Sequence, residues 1–214
     1  MLLQPRRARR SEERTVARNK DEDRRPAAQR LRDVARDLFY RQGIRATGVE
    51  ELCRVAGTTK ISLYRAFPSK DELIAEVLRD DCSEDSCWFE TAVEPGTPPR
   101  ERPRAYLRAA VEVLRQPGFR GCPMGMAIVE FPDPQHPARQ VTDAYKQKVR
   151  CDLRRICAEA GAAEPDTMGD ALLLLIEGAF AAAPYLGAAE AADALERAGL
   201  RLIGGLLPPA GTAG

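Results

Sequence analysis

Histidine is the scarcest functional residue of this chain, which contains only His136 among its 214 residues. Because a catalytic triad and a multi-histidine metal site both need histidine, only His136 could serve either. The six cysteines show no C-x-x-C spacing, which zinc and redox sites commonly use. The chain also lacks the G-x-S-x-G motif, the phosphate-binding loop and the dinucleotide-binding glycine pattern. We therefore expect no enzyme, no catalytic residue and no bound metal or cofactor.

Aromatic residues and long apolar runs are also scarce. Aromatics make up 6% of the chain, and the apolar residues are mostly Ala and Leu, which favour helices over strands. No run reaches the roughly 18 uninterrupted apolar residues of a membrane span, and the most apolar stretch, 171–183, contains Glu177. The Arg-rich N-terminus lacks the apolar segment of a secretion signal. We expect a soluble, cytoplasmic, all-α protein with reduced cysteines and no membrane contact.

The net charge of +1 conceals an uneven distribution of charge along the chain. Residues 1–67 contain 17 Lys or Arg against 9 Asp or Glu, whereas residues 68–214 contain 16 against 23. The basic part attracts a polyanion such as DNA, whatever the base sequence. Residues 1–26 have few apolar side chains, and we expect them to form a disordered tail.

Residues 27–67 carry the apolar spacing of short amphipathic helices. The stripe of the first predicted helix follows the i, i+3, i+4, i+7, i+8 spacing and comprises Leu31, Val34, Ala35, Leu38 and Phe39. Gly43 ends this helix, and a capping box of Thr47 and Glu50 is predicted to open the second. Gly57 then ends the second helix, and Thr59 caps a third.

Two short helices joined by a turn at Gly57 indicate a helix-turn-helix. Glycine lets the chain reverse without a Cβ clash, and the second helix can then enter a DNA major groove about 12 Å wide. An ordinary helical hairpin has the same pattern, but the positive charge of residues 27–67 favours DNA binding. Beyond Pro68, a second capping box of Ser69 and Glu72 opens a fourth helix.

The remainder of the chain reads as a larger helical domain. A proline-rich connection at 94–103 precedes predicted helices at 106–114, 124–129, 137–160, 166–183 and 188–206, and we find no strand pattern. We predict a tail at 1–26, a DNA-binding domain at 27–72, a ligand-binding and dimerisation domain at 73–207, and a frayed tail at 208–214. The helix at 166–183 is apolar around most of its circumference, so it needs burial on more than one side. A second copy of the chain or an intramolecular core could provide that burial.

The stretch 59–73, TKISLYRAFPSKDEL, resembles the tetracycline-repressor-like (TetR) family of bacterial transcription regulators. Its diagnostic parts are the LY pair at 63–64, the FPSK junction at 67–70 and the EL pair at 72–73. The resemblance extends backwards through the three-helix unit. A weaker resemblance to one subgroup of the family lies in the FPDPQHPAR stretch at 131–139.

The resemblance implies an all-α homodimer, with an N-terminal helix-turn-helix domain and a larger helical ligand domain whose ligand shifts the spacing of the two DNA-reading units. DNA contacts are expected from Arg45, Thr47, Thr59, Lys60, Ser62, Tyr64, Arg65 and Lys70. Of these, Lys60, Ser62 and Arg65 would face base edges, and Thr47, Tyr64 and Lys70 would meet phosphates. Leu63 and Phe67 should be core residues. Many family members carry His or Tyr where this chain has Ala66, so one phosphate contact is lost, and Arg45 is a candidate to replace it.

The ligand pocket is predicted only as a set of large or polarisable side chains in the second domain. The candidates are Trp88, Phe89, Tyr106, Phe119, Cys122, Met124, Met126, Phe131, Tyr145 and Phe180. Each of these residue types is more often a plain core residue than part of a ligand-pocket wall. Cys122 lies in a loop rich in Gly and Pro, where a thiol can be reached by reagents. A metal site formed with His136 would have a poor ligand set.

These observations together predict a sequence-specific transcription regulator. It would bind a palindromic double-stranded operator as a homodimer and, as a repressor, leave the operator when a small-molecule effector binds. Two alternatives stay open, namely a dimeric regulator without a ligand and a transcriptional activator of the same fold.

Overall fold

The computed structural model of the protein describes residues 25–83 and 88–208. Within these ranges every regular element is a helix, as the all-α prediction requires. The two predicted tails lie largely outside the described residues. The chain divides into two compact units, Met1–Val77 and Leu78–Gly214.

The first unit is built from short helices. These are α1 (Ala27–Gln42), α2 (Val49–Val55), α3 (Lys60–Ala66) and the start of α4 (Lys70–Asp81). Their apolar stripes form the core of this unit, in which Leu31, Leu52, Leu63 and Leu73 are completely buried. Gly43 ends α1 with a positive φ of 96°, as its position in the sequence predicts.

Arg30 links the start of α1 to the turn between α2 and α3. Its Nε donates to the carbonyl of Ala56 at 3.0 Å, and a terminal nitrogen donates to the carbonyl of Gly57 at 3.3 Å. Both acceptors lie just past the C-terminus of α2, where helix carbonyls lack intrahelical donors. Arg30 therefore braces the turn that sets the angle between α2 and α3.

The predicted capping box at the start of α2 is wrong. The residue that precedes the helix is Gly48, and it makes no side-chain capping bond. Thr47 is fully buried instead, and its hydroxyl donates to the carbonyl of Gly43 at 2.8 Å. Thr47 therefore closes the α1–α2 turn from inside.

The second unit contains the long helices. They are α5 (Trp88–Thr91), α6 (Arg102–Arg115), α7 (Pro123–Glu130), α8 (Pro137–Glu159), α9 (Pro165–Leu186) and α10 (Ala188–Leu206), with a 3₁₀ turn at Pro99–Glu101 before α6. Helix α9 packs against α8 and α10, and α10 also packs against α6. All five helices predicted here are present, and α6 begins four residues earlier than predicted because Pro103 is accommodated in its first turn.

Two glycines allow the helices of the second unit to approach closely. A Cβ atom on Gly169 of α9 would lie 2.8 Å from the backbone of Arg154 in α8, and one on Gly199 of α10 would lie 2.5 Å from the Leu107 side chain. Beside the first contact, the Asp170 carboxylate accepts hydrogen bonds of 2.6–2.9 Å from Arg150 and Arg154. These bonds hold the pKa of Asp170 well below its usual range. The α8–α9 contact thus joins a tight backbone fit to a charged clamp.

Helix α9 is apolar enough and long enough to cross a membrane by length and composition, with 28% of the relevant window buried. Its acidic residues Asp170 and Glu177 pair with cations of α8, so the helix is packed within a bundle of helices. The helix also runs three residues past its predicted end and contains Pro184. A proline at this position cannot donate to the carbonyl of Phe180, four residues earlier.

Candidate functional site

Helix α3 has one buried and one exposed face. Thr59 caps it as predicted, because its hydroxyl oxygen accepts from the amide of Ser62 at 3.2 Å. Leu63 and Phe67 are buried, which confirms them as core residues. The opposite face points to water and carries Lys60, Tyr64 and Arg65. This face is short and carries two cations, as expected of a groove-reading helix.

The predicted DNA contacts differ in how much surface they expose. Arg45, Thr59, Lys60, Tyr64 and Arg65 are exposed, Ser62 and Lys70 are half-buried, and Thr47 is buried. The Thr47 hydroxyl is already bonded to Gly43, so its side chain offers no surface to a phosphate. Lys70 donates from Nζ to the carbonyl of Ile44 at 2.9 Å.

Lys60 already has an anionic partner on the exposed face of this unit. Its Nζ forms an ion pair with the Glu50 carboxylate of α2. The hydrogen bond between them raises the pKa of Lys60 and lowers the pKa of Glu50. A phosphate that approaches Lys60 must therefore compete with Glu50.

One exposed apolar residue on α3 was missed by the sequence analysis. Ile61 is 72% exposed, next to Lys60 on the solvent side of the helix. Single exposed apolar residues are common on protein surfaces, so the position of Ile61 on α3, rather than its exposure alone, makes it a candidate contact. The apolar contact that base edges offer in the major groove is the thymine methyl group. An apolar residue two positions after the cap of a predicted reading helix is the signal that could have identified it.

The second unit contains a small pocket with room for about one water molecule. It is lined by Trp88, Tyr106, Cys122, Tyr145, Lys146, Val149, Leu153, Leu173, Ile176, Glu177 and Phe180. The wall is mainly aromatic and aliphatic with a few polar groups, which is the usual composition of a small-molecule site. In this conformation its free volume is far below that of a site for a drug-sized ligand.

Half of the predicted pocket residues lie elsewhere. Trp88, Tyr106, Cys122, Tyr145 and Phe180 line the cavity, whereas Phe89, Phe119, Met124, Met126 and Phe131 do not. The rings of Phe89 and Phe119 pack behind the wall, on Tyr106 and Phe180 respectively. Phe89 and Phe119 are therefore core residues. The sequence does not separate a ring that lines the cavity from a ring that packs behind one, because both positions suit a large apolar side chain.

His136 and Phe131 are occupied by local structure. The Nδ1 atom of His136 accepts from the amide of Ala138 at 3.2 Å and so caps α8. The imidazole also stacks on the Phe131 ring, with 4.0 Å between ring centroids. No group of metal-ligating side chains is found in the part of the chain that the structure describes.

The sequence analysis missed the two charged residues of the cavity wall, Lys146 and Glu177. Lys146 of α8 forms an ion pair with Glu177 of α9 inside the cavity wall, and its Nζ lies 3.4 Å from the Cys122 sulfur. Burial acts to lower the pKa of Lys146, but Cys122 and Glu177 together raise it above its ordinary value. Lys146 therefore stays protonated in a largely apolar environment. Glu177 was a signal in the sequence, since a charge within an apolar helix needs a partner.

This chain is similar to known bacterial transcription regulators. A family model described as bacterial regulatory proteins, tetR family, matches residues 31–77. A solved TetR-family transcriptional regulator from Streptomyces coelicolor has a TM-score of 0.80 and 27% identity, over 86% of this chain and 97% of its own. Among curated proteins, the transcriptional repressor KstR2 of Mycolicibacterium smegmatis is 31% identical over 91 residues, which are 42% of this chain and 44% of the repressor.

A second solved structure matches this chain over most of the length of both proteins. A TetR transcriptional regulator from Streptomyces avermitilis is 31% identical to this chain, with a TM-score of 0.72, over 85% of this chain and 98% of its own. The match to the family model covers the helix-turn-helix and the start of α4. The chain therefore belongs to the TetR family of helix-turn-helix, DNA-binding transcription regulators.

Proposed function

We propose that this chain acts as a homodimeric repressor that leaves its operator when a small molecule occupies the cavity of the Leu78–Gly214 unit. The observation that carries the proposal is the presence of two separate sites, an exposed basic face on α3 and an aromatic-walled cavity in the other unit. If the two ligands favour different states of the dimer, each weakens binding of the other by the same factor, by an amount of about 1–3 kcal/mol. A bacterial transcription regulator of this kind acts in the cytoplasm, where its operator DNA lies.

On the DNA side, the proposal assigns two kinds of contact. Lys60 and Arg65 read base edges, because both are exposed on α3 and Arg can bind guanine through two hydrogen bonds. Ile61 adds an apolar contact to a thymine methyl group. Tyr64 and Arg45 bind phosphates, which fix the register of the protein but carry no sequence information.

Thr47, Thr59 and Ser62 take a supporting role in this proposal, whereas Lys70 keeps its predicted phosphate contact. Thr47 holds the turn before α2 through its bond to Gly43. Thr59 and Ser62 share a hydroxyl contact of 3.1 Å at the start of α3, and this contact fixes the first turn of the helix. Lys70, whose Nζ donates to the carbonyl of Ile44, is assigned to a phosphate.

The dimer is supported by the outer faces of α9 and α10. Leu174 and Tyr185 of α9 and Leu200 of α10 are exposed large apolar side chains, and Gly178 between the first two has open space around it. Two helices from each protomer would form a four-helix interface, and small residues allow such helices to approach closely. Two reading helices are needed because half-sites lie about 34 Å, one helical turn of DNA, apart. Sedimentation of a monomer at micromolar concentration would contradict the dimer.

The DNA part of the proposal is tested by selecting bound duplexes from a random pool at a stated salt concentration. We expect a palindromic site with two half-sites, and a loss of affinity with rising salt that counts the phosphates contacted. Enrichment of a single half-site would contradict the dimer, and no enrichment over scrambled competitor would contradict sequence-specific binding.

The ligand part is tested by a thermal-shift screen of small molecules, followed by DNA-binding titration with each hit. A ligand of the folded protein raises the unfolding temperature with concentration, and we expect the same ligand to weaken operator binding. A screen without hits would favour the regulator that has no ligand. A hit that strengthens operator binding would favour an activator or a co-repressor mechanism.

A further inference from the structure

The turn between α2 and α3 has open space at its central glycine. Gly57 has a positive φ of 58°, and a Cβ atom at this position would meet nothing within 4 Å. Within the turn, the amide of Thr58 donates to the carbonyl of Cys53 at 2.9 Å. Helix α3 begins at Lys60, shortly after this bond. The direction of α3 therefore depends on the hydrogen bonds that fix the turn.

Arg30 of α1 adds hydrogen bonds to this turn from outside it. Its Nε and one terminal nitrogen donate to the carbonyls of Ala56 and Gly57, at 3.0 and 3.3 Å. The other terminal nitrogen donates to the carbonyl of Arg25 at 2.7 Å, so all three guanidinium nitrogens bind backbone. A cation at the C-terminal end of a helix is also favoured by the helix dipole. The planar guanidinium holds three acceptors at fixed angles, which the single nitrogen of a lysine cannot do.

Helix α3 has few contacts of its own that could fix its direction. It is seven residues long, and Leu63 is its buried residue. Because such a helix spans about 10 Å, a tilt of about 10° at the turn moves its far end by about 2 Å. Hydrogen bonds to base edges weaken steeply when distance and angle change, whereas the ionic attraction to phosphates needs no exact angle. A change in the turn therefore affects base reading more than the general attraction to DNA.

We propose that Arg30 is a positioning residue for sequence recognition, which holds α3 at the angle from which Lys60 and Arg65 reach base edges. Arg30 acts through the turn and contacts no base itself. The proposal rests on the proposed function, which assigns base reading to α3. It adds a residue that the sequence analysis did not select, because Arg30 lies outside the apolar stripe of α1 and has no distinguishing neighbours in the sequence.

The test replaces Arg30 by lysine, which keeps the positive charge and loses the three-way contact. Fluorescence anisotropy at one salt concentration measures the affinity of the full chain for the selected operator and for random duplex. We expect Arg30→Lys to bind the operator about ten-fold more weakly and random DNA within about two-fold of the wild type. Arg41→Lys is the matched control, since Arg41 lies on the same helix and pairs with the exposed Asp37. It should bind both duplexes as the wild type does.

A second measurement follows the turn itself and needs no DNA. Hydrogen exchange of the Thr58 amide should be about ten-fold faster in Arg30→Lys, because its bond to Cys53 opens more often once the turn is less firmly held. Amides of the second unit should exchange at the wild-type rate. Circular dichroism checks that each variant is folded. Arg30→Gln, which cannot reach all three carbonyls, is the second variant and should lower the ratio of operator to random affinity by a similar factor.

Three results would overturn the proposal. Equal losses on both duplexes for Arg30→Lys would make Arg30 a phosphate contact, and unchanged operator affinity would show that reading does not depend on Arg30. Weaker operator binding with unchanged Thr58 exchange would show that the loss does not pass through the turn. A wild-type protein that prefers no duplex would contradict the proposed function instead, and faster Thr58 exchange in Arg30→Lys would still support the action of Arg30 on the turn.

Discussion

Each unit of the protein contains a lysine–glutamate ion pair, and the two pairs differ in their exposure to water. In the first unit the side chains of Lys60 and Glu50 are 53% and 78% exposed. In the second unit those of Lys146 and Glu177 are 20% and 35% exposed. The residue types are the same, but the first pair lies on a surface and the second in the wall of a cavity.

This difference in exposure sets how much free energy is needed to break each ion pair. An exposed pair contributes little to stability, since water and salt screen it, so Lys60 can exchange Glu50 for a DNA phosphate at small cost. A pair largely removed from water is costly to break, because the remaining charge has no partner. Lys146 is therefore held in place in the cavity wall by Glu177.

The largest expected effect is a loss of stability when the close packing of α8 on α9 is disturbed. Gly169→Ala places a methyl group 2.8 Å from the Arg154 backbone, and we expect a loss of about 2–4 kcal/mol in unfolding free energy, because backbone cannot yield as a side chain can. Chemical denaturation followed by circular dichroism measures this loss. Gly205→Ala is the matched control, since nothing lies within 4 Å of that position. Equal stability of the two variants would contradict the tight α8–α9 fit.

The next effect concerns the reading surface of the first unit. Arg65→Ala should weaken binding to the selected operator by about 1–3 kcal/mol and affect random DNA less, because a base contact is lost. Lys70→Ala should weaken both kinds of DNA about equally, since Lys70 is assigned to a phosphate. Fluorescence anisotropy with the two duplexes at one salt concentration gives the comparison. Equal losses from Arg65→Ala on both duplexes would remove its role in base reading.

A third pair of variants compares the two lysines directly. Lys146→Met should lower the unfolding free energy by about 1–2 kcal/mol, less than for a fully buried pair because Glu177 keeps part of its contact with water. Adding Glu177→Leu to this variant should recover most of the loss. Lys60→Met should leave the denaturation midpoint unchanged. Similar midpoints for Lys60→Met and Lys146→Met would show that burial does not distinguish the pairs.

The smallest effect sharpens the description of the exposed pair. Glu50→Gln removes the carboxylate that competes with phosphate for Lys60, and operator affinity should rise roughly two- to five-fold at low salt. The gain should shrink as salt rises, since both charges are exposed and screened. Glu51→Gln, on the same helix but without the bond to Lys60, provides the control. A gain as large for Glu51→Gln would assign the effect to net charge alone.

The fold could be predicted from the sequence because helix ends are set by local chemistry. Gly43 and Thr59 end and begin helices where the sequence places them, and α10 has the bounds predicted for it. The failure at Thr47 is also local. A threonine before a helix can bond forward to the helix or backward to the preceding turn, and burial of its side chain decides for the turn.

The cavity could be predicted only in part, because it brings together distant segments of the chain. Tyr106 and Phe180 were foreseen as large apolar residues, but so was Phe119, which packs one layer further out. Lys146 has no distinguishing neighbours in the sequence, and only the packing of α8 on α9 brings it to Glu177. Ile61 was missed for a different reason, since an apolar residue on a helix is ordinarily assigned to the core.

Pro184 makes the C-terminal end of α9 easier to bend than its N-terminal end. It interrupts the hydrogen-bond ladder of α9 four residues after Phe180, a wall residue, while Asp170 at the other end of the helix is clamped by two arginines. The end of the helix that carries Phe180 consequently bends at lower energy than the end that carries Asp170. A ligand larger than the cavity would therefore displace the C-terminal end of α9, which carries Pro184, before the N-terminal end.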